Sequence, residues 1–121
     1  PGRVGNVAAW YRRADLFVSA SRLEGFPNVL VEALAHEVPV IAVDCDTGPR
    51  DIVRDGVDGM LVPMDDTAAL RDALDALMGD APRRETMARR AGEARERFSI
   101  EGITRLWASL FDALLARRGA R

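Results

Sequence analysis

The sequence predicts an α/β fold, a doubly wound parallel sheet with helices on its faces and further helices at its C-terminal end. Three observations predict it. Short β-prone runs alternate with helical patterns, as parallel β-α units require. Residues 40–43 (VIAV) form an unbroken apolar run, the pattern of a strand covered on both faces. After Gly79 two helical patterns follow one another with no strand between them, which suits a cap at the end of a domain.

Each element has its own signal. Val4, Val7, Ala8 and Tyr11 recur at helical spacing and predict a short amphipathic helix over residues 4–13. Residues 15–20 (DLFVSA) read as a short strand, followed by a Gly25-Phe26-Pro27 loop. Pro27 stands where a first helical residue is favoured, because its missing N–H needs no partner there. That helix continues over residues 28–37 and stops before Pro39. Gly48-Pro49 opens a short helix over residues 50–54, closed by the Asp55-Gly56 turn, and Asp58-Gly59 leads into a third strand over residues 60–62. Asp66 is a good N-cap for a helix over residues 67–78, whose Leu70, Ala73, Leu74 and Leu77 form one stripe. Pro82 starts a helix over residues 83–98 with Met87, Ala91, Ala94 and Phe98 on one face. Glu85 with Arg89 and Glu93 with Arg97 are candidate i,i+4 ion pairs on that helix. The last helix, about residues 100–117, is expected to bury Ile103, Leu106, Trp107, Leu110, Phe111, Leu114 and Leu115, with Trp107 and Phe111 read most simply as core.

Composition narrows the chemistry. The 121 residues are 48% hydrophobic and 30% charged, which argues for a globular chain against a disordered one. No apolar run approaches the roughly 18 residues needed to cross a bilayer. A net charge of -2 supplies no global field for nucleic acid. All 17 basic residues are arginine, so this chain offers no Schiff-base lysine and no P-loop lysine. One cysteine, Cys45, and one histidine, His36, exclude an internal disulfide, a cysteine-cluster metal site and a multi-histidine site within this chain. The first residue is proline, not methionine, so the chain is expected to be a piece of a longer protein.

The chemistry concentrates in residues 21–37 (SRLEGFPNVLVEALAHE), which set a glycine-containing loop at the carboxyl end of a strand and a helix start directly after it. In open α/β sheets ligands bind at that edge. The unpaired N–H groups and the positive dipole end of a helix favour an anion such as a diphosphate. Asn28 and Val29 can donate there; Pro27 cannot. Gly25 lets the backbone approach a ligand where a side chain would intrude. Two carboxylates bracket the site. Glu32 lies five residues past Pro27, roughly 7 Å along the axis, and helical side chains lean back towards the N-terminus. That suits a ribose attached to a phosphate at the helix end, since one carboxylate accepts from two vicinal hydroxyls. Glu24 sits on the far side of the phosphate, where a sugar on the diphosphate would project.

The string Glu24-Gly25-Phe26-Pro27-Asn28-Val29-Leu30-Val31-Glu32-Ala33 resembles the Glu-x7-Glu signature of retaining glycosyltransferases of family four, enzymes of the GT-B fold with two Rossmann-like domains facing a cleft. The resemblance continues through residues 14–18 with Ser21, residues 38–42, 48–53 and 55–63, and runs from about Gly2 to Leu77. It implies a partial nucleotide-sugar-binding Rossmann-like domain over residues 1–98. Residues 99–121 would be a C-terminal helix packing back across that domain or towards a missing N-terminal domain, which leaves part of its face exposed. The implied function is transfer of a sugar from a nucleotide-sugar donor to a hydroxyl acceptor, in cell-envelope polysaccharide or lipid-linked glycan synthesis. The fragment alone would be inactive. Glu24 would be the catalytic residue, contacting the transferred sugar. Glu32 would hold the ribose, and Gly25, Phe26, Asn28 and Val29 would line the diphosphate and sugar. No metal and no cofactor are implied beyond the donor itself, and no nucleic-acid partner. The implied location is the cytoplasm, with peripheral contact at the inner face of the membrane.

The chain departs from the family's pattern in two places. The usual Gly-Gly pair reads Thr47-Gly48, and Asp51 stands where glutamate is usual. The basic pair that clamps the diphosphate and the acceptor-binding domain would lie upstream. Asp44-Cys45-Asp46 has the form of an Asp-x-Asp metal motif, but three-residue acidic motifs are common and the triplet is read as an acidic loop after a strand. His36 near a helix end reads as a favourable cap charge. The arginine-rich residues 83–97 read as a solvated face, and the last helix with Arg117, Arg118 and Arg121 as a surface able to graze a membrane. A non-catalytic nucleotide-sugar-binding or interaction module that kept the half-domain is the alternative. A dinucleotide-binding oxidoreductase fails, because no Gly-x-Gly-x-x-Gly follows a strand.

Overall fold

The computed structural model describes Gly2 and residues 5–119. Three parallel strands, β1 (Phe17–Ser19), β2 (Val40–Asp44) and β3 (Gly59–Pro63), lie in the order β1-β2-β3. The register pairs Phe17 with Val40 and Ser19 with Ala42 on one side of β2, and Val40 with Gly59 through Asp44 with Pro63 on the other. Helix α1 (Val7–Tyr11) precedes the sheet, α2 (Asn28–Ala35) joins β1 to β2, and α3 (Pro49–Ile52) joins β2 to β3. Then come α4 (Thr67–Met78), α5 (Ala81–Ala91), α6 (Ala94–Arg97) and α7 (Ile100–Gly119).

The central strand explains the two-faced core. Side chains alternate across a strand, so Val40 and Ala42 point to one face and Ile41 and Val43 to the other, and all four are buried. The first face packs with Tyr11, Leu30, Leu34, Ile52 and Ala91, the second with Val62, Ala73, Leu77 and Met87. Gly59 permits the tight β2–β3 approach, since a Cβ there would run into the Val40 carbonyl oxygen. Asp66 caps α4 as expected, accepting from the Ala69 N–H at 2.8 Å.

Several expectations are corrected. The helix expected over residues 83–98 begins at Ala81, behind an Asp80 cap, and breaks at Gly92 into α5 and α6. The expected pairs Glu85–Arg89 and Glu93–Arg97 are replaced. Arg89 reaches Thr86, Glu93 receives Arg54 and Arg90, and Arg97 turns to Asp58. The cause is Asp58, a fully buried carboxylate just before β3 that must be satisfied. It accepts from the Arg54 N–H at 2.8 Å, Arg54 Nε at 2.6 Å and Arg97 Nη1 at 3.3 Å. Arg97 also donates to the Ile52 carbonyl at 2.8 Å, so α6 is tied to the α3–β3 connection. Helix α3 starts at Pro49 and ends at Ile52, one residue earlier and two residues shorter at its end than expected. The face of α7 expected in the core is open instead: Leu106 is 67% exposed, Trp107 55% and Phe111 55%. Among the described residues α7 packs chiefly against α6. Val4 and Arg121, which entered the expectations for the first helix and the basic end, lie outside the described residues. Among the described residues no helix is long and apolar enough to cross a membrane.

Candidate functional site

At the carboxyl edge of the sheet, residues 20–27 leave β1 and enter α2, while residues 45–48 leave β2 and enter α3. The second loop buttresses the first. Thr47 Oγ1 donates to the Glu24 carbonyl oxygen. Gly48 has φ +97°, and a Cβ there would come within 2.6 Å of Pro27 Cδ and 2.9 Å of the Gly25 carbonyl oxygen. Neither the backbone angle nor the space admits another residue without displacement. Cys45 is buried, with its thiol 3.7 Å from the Thr47 carbonyl oxygen.

Pro27 is the N-cap of α2, with φ -74° and ψ 88°, so the helix opens at Asn28, one residue later than expected. Proline has no side-chain oxygen, and no side chain caps this helix. The Leu30 N–H closes onto the Pro27 carbonyl at 3.0 Å. The N–H groups of Asn28 and Val29 precede the first helical turn's acceptors and face outward from the helix start, where the dipole is positive. Both residues are exposed.

The remaining expected site residues lie on the same stretch of chain. Glu24 is half-buried in the loop, its own carbonyl held by Thr47. Gly25 is exposed, and a Cβ on it would meet open space. The protein's own packing therefore does not demand glycine there. Phe26 is 51% exposed, with its ring edge-on to Phe98 at 6.0 Å. Phe98 in turn lies 4.9 Å beneath the Arg97 guanidinium. Glu32 is exposed one turn into α2.

Glu32 is not free to wander. The Tyr11 hydroxyl lies 3.3 Å from Glu32 Oε2 and 3.4 Å from the Val29 carbonyl oxygen. Tyr11 is buried, its ring stacked on His36 at 5.2 Å and tilted against Phe17 at 5.8 Å. Burial, and then the Glu32 charge, push the Tyr11 phenol up to about 12. The hydroxyl therefore keeps its proton and donates. His36 caps α2 as expected, with Nδ1 2.8 Å from the Glu32 carbonyl oxygen.

Of the acidic triplet at the end of β2, Asp44 is engaged by an arginine. Arg50 grips Asp44 with two hydrogen bonds of 2.9 Å. Among the described residues no group of three or more His, Cys, Asp or Glu side chains comes together as a ligand set. Arg22, in the β1–α2 loop, pairs with Asp65 after β3 at 3.0 Å, and both are exposed.

Sequence reasoning missed Tyr11 as a partner of Glu32, Thr47 as a strap and Phe98 as the support of Phe26. Tyr11 carried a readable signal: a tyrosine at a buried helical position needs a partner for its hydroxyl. Thr47 and Phe98 carried none, because their contacts cross between distant segments.

Residues 1–80 match the family described as Glycosyl transferases group 1. An exopolysaccharide phosphotransferase of Streptomyces coelicolor is 39% identical over 109 residues, covering 90% of this chain and 12% of that protein. A Campylobacter jejuni alpha-1,4-N-acetyl-D-galactosaminyltransferase acting on a diphospho-undecaprenol-linked glycan is 36% identical over 109 residues, covering 90% of this chain and 30% of that protein. The first curated relatives are thus spanned over 12% to 33% of their length. Among solved structures, TarM superposes with a TM-score of 0.83 at 27% identity, over 92% of this chain and 22% of that one. A mutant of S. aureus TarM, crystallised in complex with Fondaparinux, alpha-GlcNAc-glycerol and UDP, superposes with a TM-score of 0.79 at 27% identity, over 88% of this chain and 22% of that one. The three-stranded parallel sheet with its helices has the fold of GT-B glycosyltransferases.

Proposed function

The chain belongs to the glycosyl transferases group 1 family, and we propose that it is the donor-binding part of a retaining transferase of the family-four type. In the whole protein it would move a sugar from a nucleotide diphosphate to a hydroxyl of a cell-envelope or lipid-linked glycan. One observation carries this reading: an uncapped helix N-terminus at the carboxyl edge of the sheet, flanked by Glu24 and Glu32 on one stretch of chain. Relatives named for exopolysaccharide and undecaprenol-linked glycan chemistry, and a structural neighbour crystallised with UDP, support it.

The chemistry follows from the geometry. Breaking a glycosyl–diphosphate bond leaves negative charge on the departing β-phosphate, and donors fixed before the reaction stabilise that charge most effectively. The Asn28 and Val29 N–H groups and the α2 dipole are such donors. Glu32 accepts from the ribose hydroxyls, Glu24 from hydroxyls of the transferred sugar, and Gly25 leaves room for the diphosphate between them. No metal ion is needed in this scheme. The 121 residues hold half of a donor site and would not turn over alone. A cytoplasmic protein touching the membrane through the apolar and arginine-bearing face of α7 fits an acceptor of this kind.

The test uses the full-length protein and a binding panel of UDP, GDP, ADP and their sugars. Glu32→Gln is expected to cost about 1.5–3 kcal/mol of nucleotide binding through lost charged hydrogen bonds, or about 10- to 150-fold. An unchanged affinity would remove the ribose role. Glu24→Gln is expected to lower turnover more than nucleotide affinity, since a nucleotide alone lacks the sugar that Glu24 touches. An equal fall in both would misassign Glu24.

One relative favours a second reading. The Streptomyces coelicolor protein is named a phosphotransferase, and this chain spans only 12% of it. A half-domain of this type can therefore sit as a binding module in a longer protein with other chemistry. Release of free nucleoside diphosphate with glycosylated acceptor supports the transferase; tight donor binding without transfer supports the module.

A further inference from the structure

We infer that Tyr11 is the positioning residue for Glu32, holding its carboxylate in the one orientation that presents free lone pairs to a vicinal diol. The inference rests on the reading of Glu32 as the ribose-holding group. It goes beyond that reading because Tyr11 belongs to a different helix, α1, and acts through Glu32.

Three observations carry it. First, Glu32 is an exposed glutamate, and an exposed glutamate ordinarily samples many rotamers; fixing one costs side-chain entropy. The Tyr11 hydroxyl, 3.3 Å from Oε2, removes that freedom before any ligand arrives. Second, the donor is itself immobile. Its ring is buried, stacked on His36 and tilted against Phe17, and the single hydroxyl proton has only α2 acceptors within reach, Glu32 Oε2 and, at 3.4 Å, the Val29 carbonyl oxygen. Third, the proton is reliably present, because burial and the Glu32 charge hold the phenol protonated up to about 12. His36 stacks on the ring and Glu32 meets the hydroxyl.

A carboxylate offers about four lone-pair positions. Tyr11 occupies one on Oε2 and leaves Oε1, and the other lone pair of Oε2, for two neighbouring hydroxyls. A ligand with only one of those hydroxyls forfeits a bond that an oriented carboxylate would have made and that a disordered one would often have missed. Tyr11 therefore sharpens discrimination between a ribose and a deoxyribose, besides raising affinity.

The experiment compares UDP, GDP and ADP with their 2′-deoxy counterparts, by calorimetry on the full-length protein, in wild type, Tyr11→Phe and Glu32→Gln. Phenylalanine keeps the ring in its slot and removes only the hydroxyl. Tyr11→Phe is expected to weaken the preferred ribonucleotide about 3- to 10-fold, and to shrink the ribo-to-deoxy preference while the melting temperature stays close to wild type. If Glu32→Gln abolishes that preference and Tyr11→Phe leaves it intact, the positioning role is wrong and the ribose role survives. If Glu32→Gln leaves the preference intact, the ribose role itself fails. Should Tyr11→Phe not fold, the phenol titration of Tyr11, followed by NMR on labelled tyrosine, decides: in Glu32→Gln its midpoint must fall below that of wild type, while burial still holds it above an ordinary tyrosine. A midpoint that does not move would mean that the two groups do not meet.

Discussion

Gly48→Ala is the sharpest test of how the donor loop is held. At φ +97° an alanine lies in backbone territory that costs about 1–3 kcal/mol. Its Cβ would also stand 2.6 Å from Pro27 Cδ and 2.9 Å from the Gly25 carbonyl oxygen, one of these a ring and the other a backbone atom, neither able to swing aside. Overpacking of this kind typically adds about 1–3 kcal/mol. The two loops must therefore part by several tenths of an ångström, and the Thr47–Glu24 strap opens with them. A displacement of that size at a reacting centre is expected to lower turnover by up to about 100-fold, with a drop in stability of about 2–6 kcal/mol from the combined strain. Steady-state kinetics and differential scanning calorimetry on the full-length protein measure both. The wild-type melting temperature with wild-type turnover would mean that the 45–48 loop does not press on the 24–27 loop at all.

Other outcomes are expected on the same grounds. Arg97→Ala strips the fully buried Asp58 of one cationic partner and frees the Ile52 carbonyl oxygen, and should destabilise the fold by about 3 kcal/mol in denaturant titrations. Arg97→Lys should recover only part of that loss, because an ammonium cannot span both acceptors in a fork. The Arg54 hydrogen bond, aided by Arg90, holds the Glu93 carboxyl below its ordinary 4.5. Its contribution is therefore present above the unfolded value and fades as pH falls through the lower folded one; an NMR titration should find that depression, and Arg54→Ala should relieve it. Excess chelator should leave nucleotide affinity in calorimetry unchanged, and strict dependence on Mg2+ or Mn2+ would count against the metal-free scheme.

Much of the fold was legible because local rules and tertiary needs agreed. VIAV reads as a strand buried on both sides and is one, and Asp66 reads as a cap and accepts the Ala69 N–H. The break at Gly92 was hidden because Met87, Ala91, Ala94 and Phe98 keep helical spacing across it. The arginine pairings were misread for a tertiary reason: i,i+4 partners are weak, and a buried carboxylate from another element outcompetes them. The α7 stripe failed differently, since periodicity tells which side of a helix is apolar but not whether anything lies against it. At the site, the signature named a continuous stretch of chain. The supports arrive from other segments: Tyr11 showed only that its hydroxyl needed a partner, not which one, and no pattern along the chain points to Thr47 or Phe98.

Helix α7 has 20 residues, a rod about 30 Å long, anchored at one end and greasy along its flank. In dilute buffer such a rod is a handle for whatever oily surface comes first, be it a sister molecule, a detergent micelle or the wall of a tube. Preparations of these 121 residues by themselves should therefore grow more associated with concentration, and trimming the chain after Ser99 should suppress that stickiness while sparing the sheet beneath.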